Sequence, residues 1–109
     1  MRHKITLPQL KKYDITQKVI MALADAESRV ILFSIIRKGK TASDLSGSLK
    51  IPLSSVYKKL SDLENLTLVR VEKTILSEKG RRFKVYRSRI NKAEISIKKP
   101  EPTLSLSAN

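Results

Sequence analysis

Between Thr41 and Val69 the chain reads TASDLSGSLKIPLSSVYKKLSDLENLTLV, and no other stretch limits its folding so closely. The spacing predicts two short helices joined by a turn. Thr41 is placed to cap the first, with Asp44 three residues later in a carboxylate version of the capping box. Leu45 and Leu49 are its inward residues. Ile51-Pro52 closes the turn, and Pro52 suits the first position of the next helix. In that second helix Leu53, Val56, Leu60 and Leu63 fall at i, i+3, i+7 and i+10, a single apolar stripe. At about 100° per residue Ser54, Ser55 and Lys58 point the other way. A short helix with one dry face and an opposite face of small polar and cationic residues has the shape that enters a DNA major groove. The same stretch also fits a helical pair whose outer face is simply solvated.

Charge separates these readings. The 109 residues hold 23 Lys+Arg and 10 Asp+Glu, a formal net charge of +13. Such a balance points to a polyanionic partner. It is unevenly spread: residues 1–40 and 68–90 each carry +6, residues 41–67 carry 0, and residues 91–109 carry +1. A neutral helical pair between basic segments suits a protein whose flanks hold phosphate while one helix meets base edges.

The chain has no cysteine, which excludes disulfides and thiolate metal sites. Its sole histidine is His3. With no apolar run of about 18 residues and no signal-peptide pattern, the expectation is a cytoplasmic protein with no membrane, metal or cofactor partner. No nucleophile–base pair or Gly-rich phosphate loop is present, so an enzyme is not expected.

Elsewhere the elements can be read in order. Residues 1–13 form a basic arm in which Pro8 breaks any helix and Ile5-Thr6-Leu7 offers at most a short strand. Asp14, with Gln17 at the reciprocal position, caps a helix whose buried stripe is Ile15, Val19, Ile20 and Leu23. Ala26 to Lys38 follows as a helix apolar nearly all round, with Gly39 as its left-handed terminator. Arg29 is expected to bond helix ends or an acid inside the domain. Leu68–Leu76 and Phe83–Ile90 are strands of a hairpin, with Gly80 free to take a positive φ. Val69, Val71, Ile75, Phe83 and Val85 supply its inner face. Residues 91–109 hold one further possible strand (Ala93–Ile97) and then a disordered tail. The expected class is mainly α with a small β-hairpin (α+β): three to four helices followed by a two-stranded wing, with 14–90 as the folded domain.

At this point the chain resembles a known family. Ala22-Leu23-Ala24-Asp25 with Ser28-Arg29 and Ile31-Leu32, then Thr41-Ala42-Ser43-Asp44-Leu45, then Ser54-Ser55-Val56-Tyr57 with Leu60 and Leu63, and finally Leu66-Thr67-Leu68-Val69 are similar to the winged helix-turn-helix of ArsR-like transcriptional regulators. The resemblance covers residues 22–90. It implies a homodimer and a repressor that binds double-stranded DNA. Two departures matter. Thr67 stands where the pattern usually has Gly, which predicts a strained or differently built turn. Metal sensing does not carry over, since its Cys and His clusters are missing.

The residues expected to touch DNA are Thr41, Ser54, Ser55, Tyr57, Lys58 and Lys59 from the helical pair, and Lys79, Arg81 and Arg82 from the wing tip. Lys58 is the base reader, through guanine O6/N7 or phosphate. Ser54 and Ser55 bond phosphate or cap their helix. Tyr57 is equally suited to the core edge, and Lys59 to phosphate or solvent. The wing cations follow the backbone or enter a minor groove; alternatively they are the solvated charges of an edge strand. Two other functions fit the same chain: a winged-helix module docking on a protein complex, and an RNA-binding protein. Only five aromatic residues argue against stacking on single strands.

Overall fold

The structure is a computed structural model that describes residues 7–109, with side chains from Ile15 onward. His3 and the Ile5-Thr6 part of the expected arm lie outside the described residues. The element order is α1 (Leu7–Ala24), α2 (Ala26–Ser34), β1 (Lys40–Thr41), α3 (Ala42–Leu49), α4 (Leu53–Asn65), β2 (Val69–Leu76), β3 (Arg82–Ser88), β4 (Ile90–Ser96) and β5 (Thr103–Ala108).

Helix α1 already runs at Leu7, so Pro8 does not break it and Asp14 is interior rather than a cap. Proline is tolerated in a first turn, where the missing N–H has no intrahelical partner to lose. Of the expected stripe, Val19 and Leu23 are buried while Ile15 is exposed. The cap signal belongs instead to Asp25. Its carboxylate accepts from the Ser28 backbone N–H at 2.9 Å and opens α2. The Arg29 guanidinium donates to the Leu23 carbonyl at 2.7 Å and so satisfies the end of α1.

Helix α2 stops at Ser34, four residues before its expected end. The carbonyls beyond it have tertiary partners: Ile35 accepts from the Ser88 N–H, and Ile36 from Arg87 Nε and the Asn109 amide. Gly39 is therefore not a left-handed terminator; among the glycines only Gly80 has a positive φ. Gly39 is needed for space. A Cβ there would collide with the Glu72 carboxylate and lie 2.7 Å from Val85 Cγ1.

The capping box at Thr41–Asp44 forms in both directions. Ala42 and Leu45 turn inward, as do Val56, Leu60 and Leu63 of α4. Leu53, at the open start of the stripe, stays exposed, and Pro52 occupies the cap position itself rather than the first helical one. These residues meet Val19, Leu23, Ile31, Leu32 and Ile35 in one core, closed on the far side by Leu68, Val69, Tyr86 and Ile90. Helix α4 ends in a Schellman arrangement. Leu68 N–H bonds the Leu63 carbonyl, and Thr67 N–H the Glu64 carbonyl, with Thr67 at φ +61°. Leu63 and Leu68, both buried, supply the accompanying apolar contact.

Strands β2 and β3 pair antiparallel, with a bulge at Glu72, and the short β1 adds a third strand through Lys40↔Tyr86 and Thr41↔Val85. The inner face of the wing holds only near the core: Val69 and Val85 are buried, while Ile75 and Leu76 at the far end are exposed. The expected tail is ordered. β4 and β5 form a second antiparallel hairpin, Ile90↔Ala108 to Ser96↔Thr103. Its end is pinned where Asn109 bonds the carbonyls of Ile36, Ser88 and Arg89.

Candidate nucleic-acid interface

Three elements converge outside the core: the start of α3, the outward face of α4 and strand β3. The Thr41 capping box places Ser43 at the mouth of a cleft of 260 Å³ between α3, α4 and the wing, lined also by Tyr57, Arg82, Lys84 and Tyr86. Arg82, Lys84 and Tyr86 alternate along β3 and so share one face of the sheet. Tyr86 is the floor. Burial first, then the nearby Glu64 and Tyr57, raises its phenol pKa, so the floor stays neutral. Tyr57 and Arg82 are exposed at the rim. The result is a concave surface with an aromatic floor and cationic walls, joining recognition-type helix to wing.

On α4 two adjacent lysines have different roles. Lys58 is 75% exposed and pairs with Asp62 one turn on at 3.2 Å. An exposed pair of that kind is worth a few tenths of a kcal/mol, so the ammonium is free to exchange Asp62 for a phosphate or a base edge. Lys59 turns toward the start of α2. It reaches Asp25 at 2.8 Å and Glu27 at 3.6 Å with its side chain 22% exposed. The hydrogen bond from Lys59 holds the Asp25 carboxyl well below the usual carboxylate range, helped by the Ser28 hydroxyl and N–H. The same bond raises the Lys59 pKa, against some desolvation. Lys59 thus locks α4 to the start of α2 and does not join the outward set.

Ser54 is exposed and Ser55 half-buried in the first turn of α4, where no side chain caps the helix. At the wing tip Ser77 accepts from Gly80 N–H through its carbonyl and from Arg81 N–H through its hydroxyl. With Gly80 at φ +80°, this tight turn leaves Lys79, Arg81 and Arg82 exposed. Lys84 and Ser43 were not among the expected residues. Lys84 was within reach of strand periodicity, since it lies two residues from Arg82. Among the described residues no group of three or more His, Cys, Asp or Glu could hold a metal ion, and no helix is long and apolar enough to cross a membrane.

No protein-family description matches the chain, and no curated protein is similar to it in sequence. Among solved structures, NolR from Sinorhizobium fredii is similar in fold, with a TM-score of 0.60 over 80% of this chain and 81% of NolR, at 18% identity. The fold is a winged helix. Helices α3 and α4 are its helix-turn-helix, β1–β3–β2 its wing sheet, and the cleft between them its natural concave face.

Proposed function

We propose that this protein is a sequence-specific double-stranded DNA-binding transcriptional regulator acting in the cytoplasm as a homodimer, and as a repressor of ArsR-like type. The observation that carries the reading is the continuity of the outward surface. Tyr57 on α4 meets Arg82 and Lys84 of β3 across the cleft, Ser54 and Lys58 are exposed on α4 next to Tyr57, and Lys79 and Arg81 are exposed at the wing tip, while Lys59 is tied to Asp25. In this reading α4 enters the major groove, Lys58 meets base edges, Ser54 and Ser55 hold phosphate at the helix start, and the wing follows the adjacent backbone. Repression follows by occupying DNA that polymerase needs. The dimer is supported by exposed apolar surface of the kind that marks an interface, present both on α1 and α2 (Ile15, Met21, Val30, Phe33) and on the β4–β5 hairpin (Ile95, Leu106). A two-fold would set the two α4 helices about 34 Å apart, one turn of DNA.

Duplex binding measured against salt tests it. With about six phosphates neutralised per dimer, the log–log slope is expected near −5. An affinity that is flat between low and physiological salt overturns the reading.

A further inference from the structure

The second hairpin has a free edge, and its sequence is self-complementary. Strand β5, Thr103–Ala108, pairs with β4 on one side and, among the described residues, with nothing on the other. Its six residues, TLSLSA, carry no charge, whereas β2, β3 and β4 each carry at least two charged side chains. Folded proteins normally guard an open edge with charge, proline or a bulge. The other edge of this hairpin is guarded in that way, by the Lys92–Glu94 pair at 2.8 Å on β4. In a chain of net charge +13, an uncharged strand is the edge along which two copies approach with least repulsion.

The register adds the symmetry. Ala93↔Leu106 and Ile95↔Leu104 stand on one face of the ribbon, Glu94↔Ser105 and Lys92↔Ser107 on the other. Ala93 and Leu104 lean on the core, while Ile95 and Leu106 remain exposed. About Ser105 the strand reads the same in both directions: Leu on either side, then hydroxyl residues Thr103 and Ser107. An antiparallel two-fold centred there sets Ser105 against its own copy, Leu104 against Leu106, and Thr103 against Ser107. Apolar meets apolar and hydroxyl meets hydroxyl, as an isologous contact requires. It also turns two ribbons, each marginal alone, into one four-stranded sheet with a continuous apolar face.

We infer that the partner of the β5 edge is the β5 edge of a second copy, and that this strand pairing is what makes the protein a dimer. The inference rests on the homodimer of the proposed function and names its surface. The test uses the full chain. Ser105 is exposed, so Ser105→Lys and Ser105→Glu leave the fold in place, checked by circular dichroism. Each sets like charges directly opposite at the two-fold, and each should weaken dimerisation about fivefold by sedimentation equilibrium. Mixed one to one, they should recover a dimer close to that of the unaltered protein. Because the chain has no cysteine, Ser105→Cys gives a second readout. Directly opposed antiparallel residues have Cα atoms about 4.5–5.5 Å apart, within disulfide reach. Copper–phenanthroline oxidation should therefore link Ser105→Cys copies and leave a Glu78→Cys control at the wing tip unlinked. A dimer indifferent to both charges and unlinked at position 105 overturns the inference and moves the interface to α1 and α2, with the DNA reading intact. A monomer at micromolar protein overturns it too, and duplex binding measured on that monomer then decides the DNA reading separately.

Discussion

The helix-turn-helix and the wing meet at the same cleft but are held there by different forces. Helices α3 and α4 belong to a net-neutral segment whose apolar residues Leu45, Val56, Leu60 and Leu63 are each at most 1% exposed. The wing carries +6 over residues 68–90, and beyond Val71 and Val85 it stands clear of the core, with Leu76 66% exposed. Position in the first region is set by burial, and in the second by backbone pairing with little beneath it. In the proposed DNA-binding reading, such a surface has one half fixed by packing, suited to reading bases, and one half able to adjust to a backbone whose path varies with sequence.

The sharpest break of this comparison is a truncation in each half. Leu60→Ala removes a fully buried side chain at the centre of the core and is expected to cost about 2–5 kcal/mol in urea unfolding. Ile75→Ala, across from Phe83 on the open part of the wing, should cost less than about 1 kcal/mol. Equal losses would mean that the wing is packed as tightly as the helices.

On DNA the two halves should separate by kind rather than by size. Lys58→Ala is expected to lose about 1–3 kcal/mol on the best site and little on others, compressing the range of affinities across sequences. Arg81→Ala with Arg82→Ala should weaken every duplex by a similar factor and, with four cations lost per dimer, flatten the salt slope by about 3 to 4. Binding by Lys58→Ala that matches the unaltered protein on all sequences would remove α4 from the reading role.

The two adjacent lysines sharpen the contrast within α4 itself. Lys59→Met should destabilise the fold by about 1 kcal/mol, through loss of the Asp25 bond that joins α4 to α2, and Lys58→Met by no more than about 0.3 kcal/mol. pH gives an independent check. The Asp25 pKa is lowered on folding, so its contribution is complete above its unfolded value of about 3.9 and fades as pH falls through the lower folded value. The Lys59 pKa is raised, so its contribution is complete below about 10.4 and fades above it. The stability gap between the protein and Asp25→Asn should thus be level from about pH 4 to pH 10 and close on both sides. A gap centred on neutral pH would point to another partner.

How far these features could be read from residues alone depends on the range of the interaction that creates them. The Thr41–Asp44 box, the α4 stripe from Val56 on, the Arg29 bond to a helix end and the positive φ of Gly80 are local, and local spacing was enough. The Lys59 bond to Asp25 left no local trace because its acid partner is 34 residues away, in a cap that α4 only reaches after folding. The end of α2 was placed too late because the carbonyls of Ile35 and Ile36 bond β3 and Asn109, contacts with no trace in helical periodicity. β1 is two residues long, too short for any pattern. The ordering of 91–109 was hidden by composition: Pro100 and Pro102 suggest a loose tail, yet both lie in the turn between β4 and β5.

A further expected effect concerns the joint between the two regions. Thr67 links α4 to β2 in the left-handed conformation, φ +61°, where a β-branched residue is strained by about 1–2 kcal/mol. The strain is sustained because the Schellman bonds to Leu63 and Glu64 and the buried Leu63 and Leu68 over-determine the turn. Thr67→Gly relieves it but adds backbone freedom to the unfolded chain, about 0.5–1 kcal/mol in the opposite sense. It also deletes the Thr67 hydroxyl bond to the Leu66 carbonyl, which is exposed and contributes little. The balance is a gain of about 0.5 kcal/mol, visible as a shift of the urea midpoint at constant m. If the helix-turn-helix and the wing are joined by a turn that merely passes between them, DNA affinity is unchanged by this substitution. If affinity falls while stability rises, the strained Thr67 is what sets the angle at which the wing meets the backbone.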